Sequence, residues 1–178
     1  LSCADGACHE AAPHAKELIN RHAVKVDCTV CHIPTFARTD ATDMARDWST
    51  PGYDEAKDKH IPTFTMGQDV VPEIDWYNGT VWAQLPGTAI TVGEDGLVPM
   101  VVPQGSKDDP EAKLFAFKVH KGRMPVLTED RWLLPINVEE FFADGDLAHA
   151  VAAGAKAAYD LDHPEYTWVE TIRYMGIN

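Results

Sequence analysis

The segment VDCTVCHIPTFAR, residues 26–38, sets Cys28 and Cys31 two residues apart, with His32 immediately after. The other two cysteines close in the same way. In SCADGACHE, four residues separate Cys3 from Cys8, and His9 follows. All 4 cysteines of the chain are spent in these two arrangements. C-x-x-C-H is the covalent attachment signature of a c-type haem. Two thiols add to the vinyl groups on one porphyrin edge, and the next imidazole falls under the iron as proximal ligand. The wider C-x4-C-H loop takes the same two vinyls with a larger bulge. Cys3, Cys8, Cys28 and Cys31 are therefore the expected attachment points of two haems c, with His9 and His32 as proximal ligands.

Other chemistries use the same residue types. A zinc site needs four thiolates, or three thiolates and an imidazole. Two disulfides have three possible connectivities, although a disulfide framework usually spreads its bridges along the chain. A thioredoxin-like dithiol wants a strand-to-helix context, and neither pair has one. These readings stand beside the haem reading as rivals.

Six histidines remain: His14, His22, His60, His120, His149 and His163. Two haems with imidazole on both faces would use two of them. His22, just upstream of the second motif, is the first candidate for a sixth ligand, and His14 the second. His14 follows His9 by only five residues, too few to wrap the porphyrin edge, so it would cap a different haem. His120 in FKVHKGRMP and His60 in DKHIP come next. His149 sits in a helical pattern, and His163 precedes a proline as a turn residue would. The surplus points to further haems on a partner chain or on sequence beyond this one. Met66, Met100 and Met124 are alternative axial ligands, but packing is the commoner use of Met.

The chain has 178 residues, formal charge −13 and a pI near 4.8. That length allows one domain with a real core or two small lobes. The acidity argues against nucleic acid or an anionic membrane as main partner, and suits docking to a basic redox partner. No apolar run approaches the roughly 20 residues of a membrane span. No charged-then-apolar leader is present, and Leu1 in place of Met is expected of a processed or excised chain.

The elements that must position the cysteines read as α+β with much irregular structure. Residues 1–60 form the dihaem-binding segment, 61–136 a β- and loop-rich segment, and 137–178 a helical segment with an extended tail, together one compact domain. Residues 9–22 have helical composition, with Pro13 in a first turn. TDATDMARDW predicts a short helix capped by Thr39 or Asp40, and STPGYDEAKDKHIP a charged connection. Residues 61–105 predict a small antiparallel element punctuated by Asn78-Gly79, Pro86-Gly87 and Asp95-Gly96, with Asn-Gly as the strongest hairpin signal. Residues 106–122 read as a loop and then a short helix or strand. Two helices are predicted in NVEEFFADGDLAHAVAAGAKAAYDL, with Asp144 or Asp146 capping the second. The tail EYTWVETIRYMGIN is expected to be extended. Trp48, Trp76, Tyr77 and Trp82 either pack the core or wall a haem face.

Taken in order, RHAVKVDCTVCHIPTFAR, DWST, VVPEIDWYNGT, FKVHKGRMP and WVETIRYM resemble the octahaem tetrathionate reductase family of cytochromes c. The resemblance runs from about residue 3 to 175, and the front end is also similar to class III multihaem cytochromes c. It implies a periplasmic or extracellular multihaem electron-transfer protein with closely packed, mostly bis-His haems. By matching position it implies Cys3, Cys8, Cys28 and Cys31 as haem attachments, His9 and His32 as proximal ligands, and His22, His14 and His120 as further axial ligands. Some members reduce tetrathionate or nitrogen oxyanions at one unusually ligated haem. Lys118 and Lys121 could imitate a lysine ligand there, but both read as surface lysines. The family has eight attachment motifs and this chain two. The expectation is an electron carrier rather than an enzyme, acting with redox partner proteins and with other haem-bearing chains or copies of itself. Its alternatives are an oxyanion reductase and a subunit of a conducting filament.

Overall fold

A computed structural model describes residues 3, 4, 6 and 8–177. Expectations resting on Leu1 and Asn178 lie outside these residues. In chain order the elements are α1 (Glu17–His22), α2 (Cys28–His32), β1 (Thr42–Asp54), β2 (Lys59–Gly67), β3 (Glu73–Tyr77), β4 (Val81–Ala83), β5 (Val98–Pro103), β6 (Lys113–Leu127), α3 (Val138–Asp144), α4 (Leu147–Tyr159) and β7 (Tyr166–Gly176). The α+β class is as expected.

The sheet is larger than the sequence predicted, and mixed. Seven strands take the order β2-β1-β6-β7-β5-β4, with β3 also pairing β6. β6 is the organising strand. Its Val- and Phe-rich sequence suits a pleated, covered surface, and β7 pairs with it antiparallel from Phe117 to Leu127. The other edge of β6 is shared. β3 pairs antiparallel with residues 113–117, and β1 runs parallel beside residues 121–123. Pro125, which has no N–H to give, falls just past the stretch paired with β1.

Several local expectations are corrected here. TDMARDWST is strand, not helix, because β2 and β6 recruit it from both sides. The charged connection is the β1–β2 hairpin itself, turning at residues 55–58. Asn78-Gly79 does turn the chain, with the Asn78 side chain accepting from the Thr80 N–H at 3.1 Å. The strands it joins do not pair with each other, since β3 goes to β6 and β4 to β5. Residues 9–16 are not helical; the helix begins only at Glu17. The segment boundary at residue 60 falls inside β2.

The C-terminal third follows its sequence. α3 and α4 are both present, and Asp146 caps α4 by accepting from the His149 N–H at 3.0 Å. Gly145 ends α3 in the left-handed region at φ 73°, where only a residue without Cβ rests at no cost. The tail is β7.

The core lies where α3 and α4 cross the far end of β6. Leu127, Leu134, Val151 and Ala155 form one cluster, and Trp48, Phe141 and Ala150 another. Ile90, Val98 and Val126 form a third on the other face. Gly154 lets α4 approach the chain so closely that a Cβ there would overlap the Pro135 carbonyl. Trp48 is thus a core residue, edge-on to Phe141 with ring centroids 5.6 Å apart. Trp82 is exposed on β4. Tyr77 joins Phe115 and Phe117 in a ring cluster at the near end of β6.

Candidate functional site

The cysteine-bearing segments dock at the opposite end of β6 from that core. The Leu114 N–H donates to Lys25 O and the Asp27 N–H to Leu114 O, both at 2.8 Å. Val26 thereby bridges Leu114 in parallel. Lys25 strengthens the joint. Its ammonium donates to the carbonyls of Asp109 (2.7 Å), Pro110 (3.0 Å) and Ala112 (3.2 Å), and Lys113 Nζ reaches Ala23 O at 3.2 Å.

From this anchor the chain turns directly into α2, which is the CTVCH motif itself. Asp27 caps it, accepting from the Thr29 N–H at 2.9 Å and from Thr29 Oγ1 at 2.7 Å. One helical turn places Cys28, Cys31 and His32 at i, i+3 and i+4, on one face. The first motif is closed differently. Its backbone loops back, with the His9 N–H donating to Cys3 O and the Gly6 N–H to His9 O, each at 3.1 Å.

The two motifs meet. Cys3, His9, Pro13, His14, Cys28, His32 and neighbours line one largely apolar cleft of about 360 Å³, within the ordinary range for small-molecule sites. His14 and His32 stack across it, ring centroids 6.0 Å apart and planes inclined by 23°. Burial raises the Cys28 thiol above its usual pKa, and the neighbouring Asp27 and Cys3 add to this. All four thiols are free; Cys28 is half-buried and the others exposed. Among the described residues no three His, Cys, Asp or Glu side chains converge as a metal-ion cluster requires. The arrangement fits haem c: one thiol of each pair, Cys3 and Cys28, lies on an apolar wall with His9 and His32, while the second thiols, Cys8 and Cys31, are free and exposed beside it.

The distal candidates separate sharply. His14 is in the cleft. His22 ends α1, exposed, and is not part of the lining. His60 packs edge-on to Tyr53 at 4.9 Å, against the C-cap of α3. His120 is buried on β6, six residues from Leu114 or roughly 20 Å along the strand, with Nε2 3.3 Å from Asp43 Oδ1. His149 lies between Glu140 (3.3 Å) and Asp144 (3.2 Å) on the surface of the helical pair. His163 is a left-handed turn residue, φ 50°. Met124 packs on the core, and Met66 is exposed.

The expectation of surface lysines needs one correction. Lys121 is exposed, but Lys118 is only 7% exposed and donates to Thr42 Oγ1 at 2.7 Å. Burial lowers its pKa; nearby Asp43 opposes this, while Arg173 and Arg46 reinforce it. His120 is lowered in the same way, by burial first and then by Arg173. Arg46 pairs with Asp43. Among the described residues the Nε of Arg173 has no hydrogen-bond partner, and the Nε2 of His120 meets Asp43 Oδ1 at 3.3 Å without the alignment of a hydrogen bond. Nothing in the sequence distinguished Lys118 from Lys121; only the strand register puts one inside.

A family model described as Cytochrome c bacterial matches residues 43–178, from β1 onward and beyond all four cysteines. The chain is similar in structure to the octaheme cytochrome c from Shewanella oneidensis, with TM-score 0.83 and 28% identity. The match covers 99% of this chain and 44% of that one, so the chain spans less than half of that protein's length. No curated protein sequence matches. The mixed sheet, the docked cysteine segments and the family match together place this chain in the bacterial cytochrome c family, whose cofactor is haem c and whose role is redox chemistry.

Proposed function

We propose that the chain is a dihaem electron-transfer unit, with one haem attached at Cys3 and Cys8 and a second at Cys28 and Cys31. His9 and His32 are the proximal ligands, and His14 is the first choice for a further axial ligand. The observation that carries this reading is the shared cleft, which brings both motifs and a third imidazole onto one apolar wall. When bound, haem c supplies one-electron exchange between ferric and ferrous iron. The chain's residues do the rest: Asp27 and Lys25 hold α2 at the sheet, and the stacked imidazoles fix the spacing across the cleft.

The chain spans 44% of its octahaem relative, which supports a place in a larger haem array with the other haems on further sequence, a partner chain or other copies. Redox proteins are the expected partners, and the periplasm or cell exterior the expected location. Among the described residues no helix is long and apolar enough to cross a membrane. The test is removal of one motif. The Cys28→Ala/Cys31→Ala double variant is expected to keep one covalent haem and lose the other. A variant retaining the wild-type haem content would overturn the assignment.

A second reading, reduction of a sulfur or nitrogen oxyanion, draws on the basic side chains of β6 and β7, of which Lys118 and His120 are buried and Arg173 half-buried. His120 and Arg173 each leave a ring or guanidinium nitrogen without a hydrogen-bond partner, and Lys118, bonded to Thr42, lies near Asp43 with them. Turnover of such an oxyanion by the wild type, abolished in Lys118→Gln, would favour it; a wild type inert to both classes would remove it.

A further inference from the structure

Asn20, in the middle of α1, holds His14 at three points. Its Oδ1 accepts from the His14 backbone N–H at 2.9 Å and lies 3.2 Å from His14 Nδ1. Its Nδ2 donates to the His14 carbonyl at 2.7 Å. The last bond fixes the orientation of the amide. A carbonyl oxygen cannot donate, so the amide nitrogen must face it, and the amide oxygen must face the ring. That oxygen only accepts, so Nδ1 carries the proton. A neutral imidazole protonated on Nδ1 has its lone pair on Nε2. His14 is half-buried, stacked on His32, and part of the cleft wall with Cys3, Cys28 and His9.

We propose that Asn20 is a positioning residue that locks His14 in the Nδ1–H tautomer and presents Nε2 as an iron ligand. The proposal rests on the haem reading of the cleft and adds to it the residue that selects the tautomer. Metal-ligating histidines generally donate their second N–H to a fixed acceptor, which sets both ring orientation and basicity. Here the acceptor is a neutral amide, anchored in turn by the histidine's own backbone. The clip therefore fixes the ring without adding negative charge behind it. An acceptor bearing a full charge would make the imidazole more basic and favour ferric iron.

The experiment compares the haem-loaded full chain with His14→Ala, Asn20→Asp and Asn20→Leu. It measures haem content, low-spin resonance signals and the reduction potential of each haem. His14→Ala is expected to convert one haem from low-spin to high-spin. Asn20→Asp should lower the potential of that same haem and Asn20→Leu should raise it, each by about tenfold in the reduction equilibrium, or about 59 mV for one electron. The other haem serves as internal control. Unchanged potentials in both Asn20 variants, with His14→Ala still converting a haem, would overturn the positioning role and leave the haem reading standing. A His14→Ala protein with every haem still low-spin would overturn the ligand assignment and this inference with it. Absence of covalent haem from the wild type would remove the underlying reading. If Asn20→Leu does not fold, the direction of the shift in the near-isosteric Asn20→Asp decides alone.

Discussion

Lys25 is the side chain on which the docking of the cysteine segment turns. One ammonium satisfies three carbonyls at residues 109–112, and charge-assisted bonds of this kind are each worth more than neutral ones. Lys25→Met keeps the aliphatic stem and removes the donors, leaving three carbonyls to find water. We expect a loss of about 1–3 kcal/mol and faster amide exchange at Asp27 and Leu114, read by hydrogen exchange. Unchanged protection there would mean that the backbone bridge alone holds the segment. His149 gives a pH-dependent prediction. Its hydrogen bond to Asp144, and the charges of Glu140 and Asp146, hold its pKa above the usual value. A base whose folded pKa is raised stabilises fully below the unfolded pKa, about 6.5, and that contribution is lost as pH rises through the folded pKa. Denaturation midpoints should therefore fall slightly from pH 6 to pH 9, and His149→Gln should flatten that limb. A slope identical in both proteins would assign it to other groups.

Among the elements, the helical pair and the long strands carry different lessons. Phe141 has no exposed surface and stands edge-on to Trp48, so Phe141→Ala should cost about 3–5 kcal/mol in chemical denaturation. Gly154→Ala should cost about 1–3 kcal/mol, because its methyl would overlap the Pro135 carbonyl. A neutral result at either site would contradict the packing described. α3 and α4 could be read from sequence because their signals are local: a 3.6-residue apolar period, Asp146 as cap and Gly145 as stop. β1 could not. TDMARDW has helix-forming residues, and only its non-local partners β2 and β6 make it a strand. The Asn78-Gly79 turn was visible but its consequence was not, because both flanking strands find partners elsewhere in the sheet. At the site, the cysteines and histidines proposed to hold haem were visible because covalent haem chemistry demands that spacing. The choice of His14 over His22 in the cleft, and the burial of Lys118, depend on how α1 and β6 are placed.

The whole molecule separates a packed end from a cysteine-bearing end along one strand. Leu127 belongs to the core and Leu114 to the docking joint of the CTVCH segment. Loss of one haem motif should therefore leave the near-ultraviolet signal of Trp48 and Trp132 intact, since both pack among α3, α4 and the far strands. Collapse of that signal in Cys28→Ala/Cys31→Ala would mean that the two ends fold as one. An excess of acid over base, net −13, gives the surface a sign that basic redox partners would meet, with association weakening as salt rises. The measurement that bears most directly on the dihaem assignment is the intact mass of the denatured full chain, exported by a host that attaches haem c, together with its pyridine haemochrome spectrum. Two covalently held haems per chain with c-type bands are expected. A chain carrying none, with four free or disulfide-bonded cysteines, would contradict that assignment and return CTVCH to thiol or zinc chemistry.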